Sequence, residues 1–196
     1  MSVKTELTRE DIMPMEEYAK IRKERRSTIV AVKRNRRMEI GPVAVCHFES
    51  YDSMWQQVHE MLFIERGGEE QIADELNAYN PMIPKGSELV CTVMFEIDEP
   101  IRRKNFLSKL GGVEETMTIA FAGETVTGVP EADVDRTTAD GKASSVQFLH
   151  FPFTPPQIEA FRTPETQIIV GFEHSEYAHL AVMPESTRSA LAKDFA

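Results

Sequence analysis

The chain has 196 residues, of which 41% are hydrophobic and 28% charged, with two cysteines and a formal net charge of −10 at pH 7. That composition belongs to a globular protein with one sizeable core, and no apolar run approaches the roughly 18 residues needed to cross a bilayer. The opening SVKTELTREDIM lacks the apolar segment of a secretion signal, so the expectation is one cytoplasmic domain spanning residues 1–196 with no membrane contact.

The net charge hides a segregation. Residues 20–37, KIRKERRSTIVAVKRNRR, hold nine of the 22 Lys and Arg against one acid, Glu24, which makes +8 locally and leaves −18 on the rest. Such a segment can bind a polyanion, attract an acidic partner, or pair with the protein's own acidic surface within or between subunits. The acidic balance of the whole chain and the absence of aromatics among these cations argue against nucleic acid. Self-pairing in a homo-oligomer is preferred.

In chain order, residues 8–38 form a basic helical N-terminal segment. Thr8 to Asp11 supply capping side chains and Pro14 suits a helix start, with Met13, Glu17 and Ile21 on one face. From Glu24 to Arg37 the face of Ile29 and Val32 is flanked by arginines and lysines; TIVAV alone would also suit a strand, but a basic amphipathic helix accounts for more of the pattern. Its apolar face is too narrow for a membrane anchor. Gly41-Pro42 breaks the chain before a strand from Val43 to Glu49, which puts His47 on the side of Val43 and Val45.

Tyr51 to Pro81 is the longest helical signal. Ser53 and Gln56 match a capping box, and Met54, Val58, Met61 and Leu62 line one face at helical spacing. Glu65 projects into the middle of that stripe. A buried carboxylate must meet a cation or donor, take up a proton, or bind a metal; its plainest reading is a salt bridge at the wet edge of the core. His59, on the flank, reads most simply as a packed, hydrogen-bonded residue. Gly67-Gly68 predicts a break, and a second helix through Ile72 and Leu76 stops near Tyr79, before Pro81.

Leu89 to Ile97 alternates cleanly enough for a central strand. A helix follows Pro100 through Ile101, Phe106 and Leu110, and Met117, Ile119 and Phe121 then open a hairpin that turns at Gly123-Glu124. Residues 130–144, PEADVDRTTADGKAS, read as a surface loop whose Asp spacing does not fit a calcium loop. A strand through Val146, Phe148 and His150 precedes a second capping box, Thr154 to Gln157, opening a helix with Ile158 and Phe161. Strands at Gln167–Phe172 and Leu180–Val182 and a helix after Pro184 complete the chain. The sum is an α+β protein, a mostly antiparallel sheet of about five to six strands covered by helices.

Chemistry is sparse. Glu173, His174, Glu176, Tyr177 and His179 cluster after a strand, and imidazole with carboxylate suits zinc or iron. If that segment folded over the long helix, Glu65 or Glu60 would complete a site with His174 and His179; otherwise it is a polar surface loop. No phosphate-cradling, dinucleotide-binding or nucleophile-elbow motif is present, and His59-Glu60 begins an HExxH motif in which Phe63 stands for the second His. Cys46 and Cys91 lie within apolar strands and read as small core residues.

The blocks LTREDIMPMEEYAKIRKERR, HFES with WQQVHEMLFIERG, ELNAYNPMIP and FLHFPFTPPQI together resemble an uncharacterised bacterial family, a domain of unknown function that would span the chain from Leu7 to its end. The resemblance implies a cytoplasmic protein encoded near rubrerythrin-like di-iron proteins and iron–sulfur oxidoreductases, and assigns no functional residue. The expectation is therefore a binding or accessory protein, oligomeric, serving an oxidative-stress or iron redox system through contacts with an acidic or redox partner. The alternative is a metal-dependent enzyme with His174, His179 and Glu65 around zinc or iron.

Overall fold

The alternation of Leu89, Cys91, Val93 and Phe95 with Val90, Thr92 and Met94 becomes the middle strand of a sheet, because both of its faces are covered by other elements. The computed structural model describes residues 3–131, 136–139 and 141–196. Residues 132–135 and 140, which include the acidic positions weighed and rejected as a calcium loop, lie outside the described residues.

Among the described residues nine strands form two sheets, with every pairing antiparallel. The first has the order β1 (Arg37–Ile40), β2 (Ala44–Phe48), β3 (Glu88–Phe95), β7 (Val146–Pro152), β6 (Val129–Pro130). The second has the order β5 (Glu124–Thr127), β4 (Met117–Phe121), β8 (Ile168–His174), β9 (Tyr177–Val182). The α+β class and the antiparallel pairing agree with expectation, the strands dividing between two sheets. The two sheets share one core, in which Cys46, Leu89, Cys91, Val93 and Phe95 of the first meet Met117, Ile119, Val170 and Phe172 of the second. Cys46 and Cys91 are free thiols in that core, and burial pushes the Cys91 thiol up.

A second core lies on the opposite face of the first sheet, where α1 (Met15–Arg34), α2 (Tyr51–Glu65) and α3 (Gly68–Tyr79) form a helical layer. Met54, Val58, Leu62, Ile72, Met82 and Ile83 pack there with Val90 of β3. The expected short first helix and basic second helix are one continuous helix, α1, and the basic run ends as strand β1 rather than as helix. Helix α2 begins earlier than Ser53: Ser50 is its cap, its Oγ accepting from Ser53 N (3.2 Å) while Ser53 Oγ accepts from Ser50 N (2.8 Å). Gln56 is thereby released to face α1. At the other end Arg66 takes a left-handed conformation (φ 58°) and Gly68 another (φ 75°), which turns the chain into α3 where the glycine pair predicted a break.

Three short helices complete the molecule: α4 (Pro100–Leu107), α5 (Pro155–Arg162) and α6 (Glu185–Leu191). The predicted capping box opens α5, with Gln157 Oε1 accepting from Thr154 N (2.9 Å). The β4–β5 turn sits one residue before its expected place, at Ala122-Gly123, both with positive φ (49° and 80°), as a two-residue turn between twisted strands requires.

A candidate ligand pocket at Glu49

The sequence points to a carboxylate seated among apolar side chains, and the structure contains one, at Glu49 rather than Glu65. Glu49 follows β2 directly and extends its ladder, its N–H donating to Val90 O at 2.8 Å. The alternation Val45, His47, Glu49 aims its side chain at the helical layer, beneath the first turn of α2. The residue is 6% exposed. Its two oxygens are held by hydroxyls: Ser53 Oγ donates to Oε2 (2.6 Å) and Thr92 Oγ1 to Oε1 (2.8 Å). Two neutral donors satisfy half of the roughly four lone-pair sites of a carboxylate and leave its charge without a bonded cation.

Glu49 borders a cavity of about 590 Å³ between the first sheet, α2 and the end of α3. Its apolar lining includes Met54, Met82, Met94 and Phe148, and Lys33 and Arg136 stand at it as cations. The Arg136 guanidinium lies over the Phe148 ring, 4.4 Å from its centroid. Its Nε is buried and meets no acceptor among the described residues. Among the described residues the pocket therefore pairs an anion lacking a bonded cation with a cation lacking a bonded acceptor, on a lining that includes three thioethers and the rings of Tyr79 and Phe148.

One wall is fixed by a titratable triad. His150 on β7 contacts Glu88 Oε2 through Nδ1 (3.1 Å) and Glu131 Oε2 through Nε2 (2.7 Å), and Glu131 also borders the cavity. The Glu88 hydrogen bond, followed by that of Glu131, raises the His150 pKa above its ordinary 6.5 despite burial. A raised folded-state pKa contributes stability that is complete below about 6.5 and is lost as pH rises through the folded value. The stability difference between the protein and its His150→Gln variant is thus expected to shrink as pH increases above 6.5; denaturant midpoints for both proteins across that window check it, and a constant or growing difference contradicts the charged triad.

Beside the pocket, α1 and α2 are joined by polar contacts. Arg22 grips Glu60 in a bidentate pair (Nε–Oε1 2.9 Å, Nη2–Oε2 2.8 Å), Tyr18 OH donates to Glu60 Oε1 (2.6 Å), and Gln56 Nε2 donates to Tyr18 OH. His59 is the packed histidine expected from its position: it stacks on Trp55 with centroids 3.7 Å apart. Met13 N donates to its Nε2 (3.2 Å), which leaves Nδ1–H to donate to Trp55 O (2.7 Å). Burial lowers its pKa, so the ring is neutral near neutral pH.

The residues singled out for a metal are placed apart in the fold. Glu65 is exposed in the last turn of α2, its Oε2 accepting from Gln71 Nε2 at 2.8 Å. Helical projection gave its angle correctly, but angle carries no information about position along the axis, and the chain turns away at Arg66 before anything covers that turn. His174 and His179 lie on the β8–β9 hairpin of the other sheet, which also corrects the reading of EHSEYAH as a loop: only Ser175 and Glu176 connect the two strands. His174 Nε2 approaches Gly111 O (3.2 Å) and its Nδ1 accepts from Glu176 N (3.2 Å). His179 packs edge-on to Tyr177, whose hydroxyl donates to Ile40 O (2.6 Å) and accepts from Ala44 N (3.0 Å). The hairpin thereby braces the β1–β2 turn. A Cβ at Gly41, φ +69°, would stand 2.5 Å from the His179 ring. Among the described residues no three His, Cys, Asp or Glu side chains come together in a group that could hold a metal ion.

Glu49 escaped the sequence reading, although a signal existed. It continues the alternation of the strand before it, and a Ser-x-x-Ser cap follows immediately.

This architecture defines a class: two antiparallel sheets around one core, a helical layer on one of them, and a pocket between layer and sheet. The chain belongs to the family described as "Protein of unknown function (DUF3501)", which matches residues 6–195. It is similar to a crystal structure of a novel protein of unknown function from Burkholderia pseudomallei K96243, with 30% identity, a TM-score of 0.90, and coverage of 97% of this chain and 99% of that one. No curated protein matches the chain. No helix among the described residues is long and apolar enough to cross a membrane.

Proposed function

We propose that the protein is a binding or accessory protein whose ligand site is the Glu49 pocket, that it works as a homo-oligomer, and that it serves an iron-linked redox system. The observation that carries the binding role is the carboxylate of Glu49, 6% exposed and held by hydroxyls at a cavity lined also by Arg136, whose buried Nε has no acceptor among the described residues. Buried polar groups with unfilled hydrogen-bonding capacity are disfavoured unless something fills them. Methionine methyl resonances test it directly: a fragment library is expected to yield compounds that move Met54, Met82 and Met94 and leave the core residues Met117 and Met183 in place. A library that moves none of the three removes the pocket from consideration.

Surface charge supports the oligomer and the acidic or redox partner. Arg22, Arg36 and Arg37 of the basic run are engaged with Glu60, Asp194 and Glu39, whereas Lys20, Lys23, Arg26 and Arg34 are exposed along α1. A helix face of unengaged cations on an acidic protein favours an acidic counterpart, through contacts that salt screens. Sedimentation is expected to give a mass above the monomer at low salt; a monomer mass at every ionic strength removes the oligomer. The redox link rests on the family resemblance and is tested by mixing with a rubrerythrin-like di-iron protein, where a complex weakened by Lys23→Glu supports it and unchanged sedimentation of both proteins overturns it.

A further inference from the structure

We infer that the Glu49 pocket takes a small zwitterion, a compound with a protonated amine at one end, a carboxylate at the other and an apolar stem between them. The inference rests on the reading of this cavity as a binding site and adds the chemistry of its occupant.

The carboxylate of Glu49 accepts one hydrogen bond on each oxygen, from Ser53 and from Thr92, and both donors are neutral. An ammonium group supplies what two hydroxyls cannot, further N–H donors together with a positive charge. At the same cavity the buried Nε of Arg136 has no acceptor among the described residues, and its guanidinium plane is laid against the Phe148 ring at 4.4 Å. Stacking holds that plane in place against the ring, and a planar guanidinium is suited to receive a carboxylate. Lys33 stands at the cavity as a second station for the anionic end. Glu131, also at the cavity, already has its Oε2 engaged by His150.

The apolar part of the lining includes Met54, Met82, Met94 and Phe148. Thioether side chains adapt to irregular apolar shapes, so the stem is specified as apolar and of loose shape. A ligand with only one charge would satisfy one station and leave the other unmatched. Hydrogen bonds to charged groups are among the stronger ones, so losing either end is expected to weaken binding roughly tenfold or more.

Four probes of matched length test this by titration into methyl-labelled protein: ε-aminocaproate, hexylamine, caproate and hexanol. The expected result is saturable movement of the Met54, Met82 and Met94 methyls by ε-aminocaproate, with hexylamine and caproate at least tenfold weaker and hexanol weaker still. Glu49→Gln is expected to weaken the two amine-bearing probes and spare caproate, and Arg136→Gln to do the reverse. The Met117 and Met183 methyls report whether each variant has kept its core, and Arg136→Gln, at the partly exposed end of the cavity, provides the test should Glu49→Gln unfold. If hexanol or either singly charged probe binds as tightly as ε-aminocaproate, the zwitterion is wrong and the pocket stands. If ε-aminocaproate binds equally to the protein and to both variants, the two stations are wrong. If none of the four moves the three methyls, the zwitterion fails, and the fragment library above then decides whether the pocket fails with it.

Discussion

Arg36→Ala is expected to destabilise the protein by about 3–5 kcal/mol, the range for removing one partner of a buried ion pair. Arg36 and Asp194 are 6% and 8% exposed. The guanidinium spends every arm: Nε donates to Phe48 O (2.9 Å), Nη2 to Glu49 O (2.6 Å) and to Asp194 Oδ2, and Nη1 to Asp194 Oδ1 (3.2 Å). It thus fastens the end of β2 to the segment after α6, and its loss strands two carbonyls and a carboxylate. For a chain of this length each kcal/mol moves Tm by about 2–4 °C, so a fall on the order of 10 °C follows. Burial nevertheless raises the Asp194 pKa above its usual range in spite of Arg36 beside it. A raised carboxyl contributes stability below its unfolded pKa and loses it as pH climbs through the folded value, and taking both charges out of water offsets much of their attraction. Replacing both partners, Arg36→Met with Asp194→Leu, is therefore expected to be much milder than Arg36→Ala alone. Thermal melts of the single and double variants decide this, and equal losses would contradict it.

Phe161→Ala should also remove about 3–5 kcal/mol, the usual range for truncating a fully buried phenylalanine. Phe161 is fully buried on α5 and meets three other rings, Phe121 (5.7 Å between centroids), Phe153 (5.5 Å) and Phe195 (5.7 Å). The cluster joins β4 and α5 to the residue after Asp194. Because Asp194 and Phe195 are consecutive, the ion pair and the ring cluster anchor the same short segment. Neighbouring sites couple, so combining Arg36→Ala with Phe161→Ala is expected to cost less than the sum of the two. Strict additivity in denaturant unfolding would show that the segment is not a shared anchor.

Several features that depend only on neighbouring residues are legible in the sequence. The alternation around Leu89, the Thr154 to Gln157 cap and the glycine pair before α3 each depend on residues within a few positions of one another, and each stands in the structure. At residues 53–56 and 173–179 a distant segment decides the outcome. Ser53 to Gln56 has a good capping pattern, but Gln56 is drawn to Tyr18 on α1 and the cap moves to Ser50. EHSEYAH looks like a polar loop because its polar residues outnumber its apolar ones, yet Tyr177 is held by Ile40 O and Ala44 N, 137 and 133 positions away, and draws the segment into a hairpin.

By itself the sequence determined the α+β class, the central strand, most helix ends and the segregation of cations into one segment, since periodicity, capping and charge are properties of neighbouring residues. Only the tertiary structure decided which carboxylate is buried, because burial depends on what another part of the chain lays over a side chain. Glu65 occupies an apolar angle on a turn that nothing covers, whereas Glu49 ends a strand that α2 and Thr92 enclose.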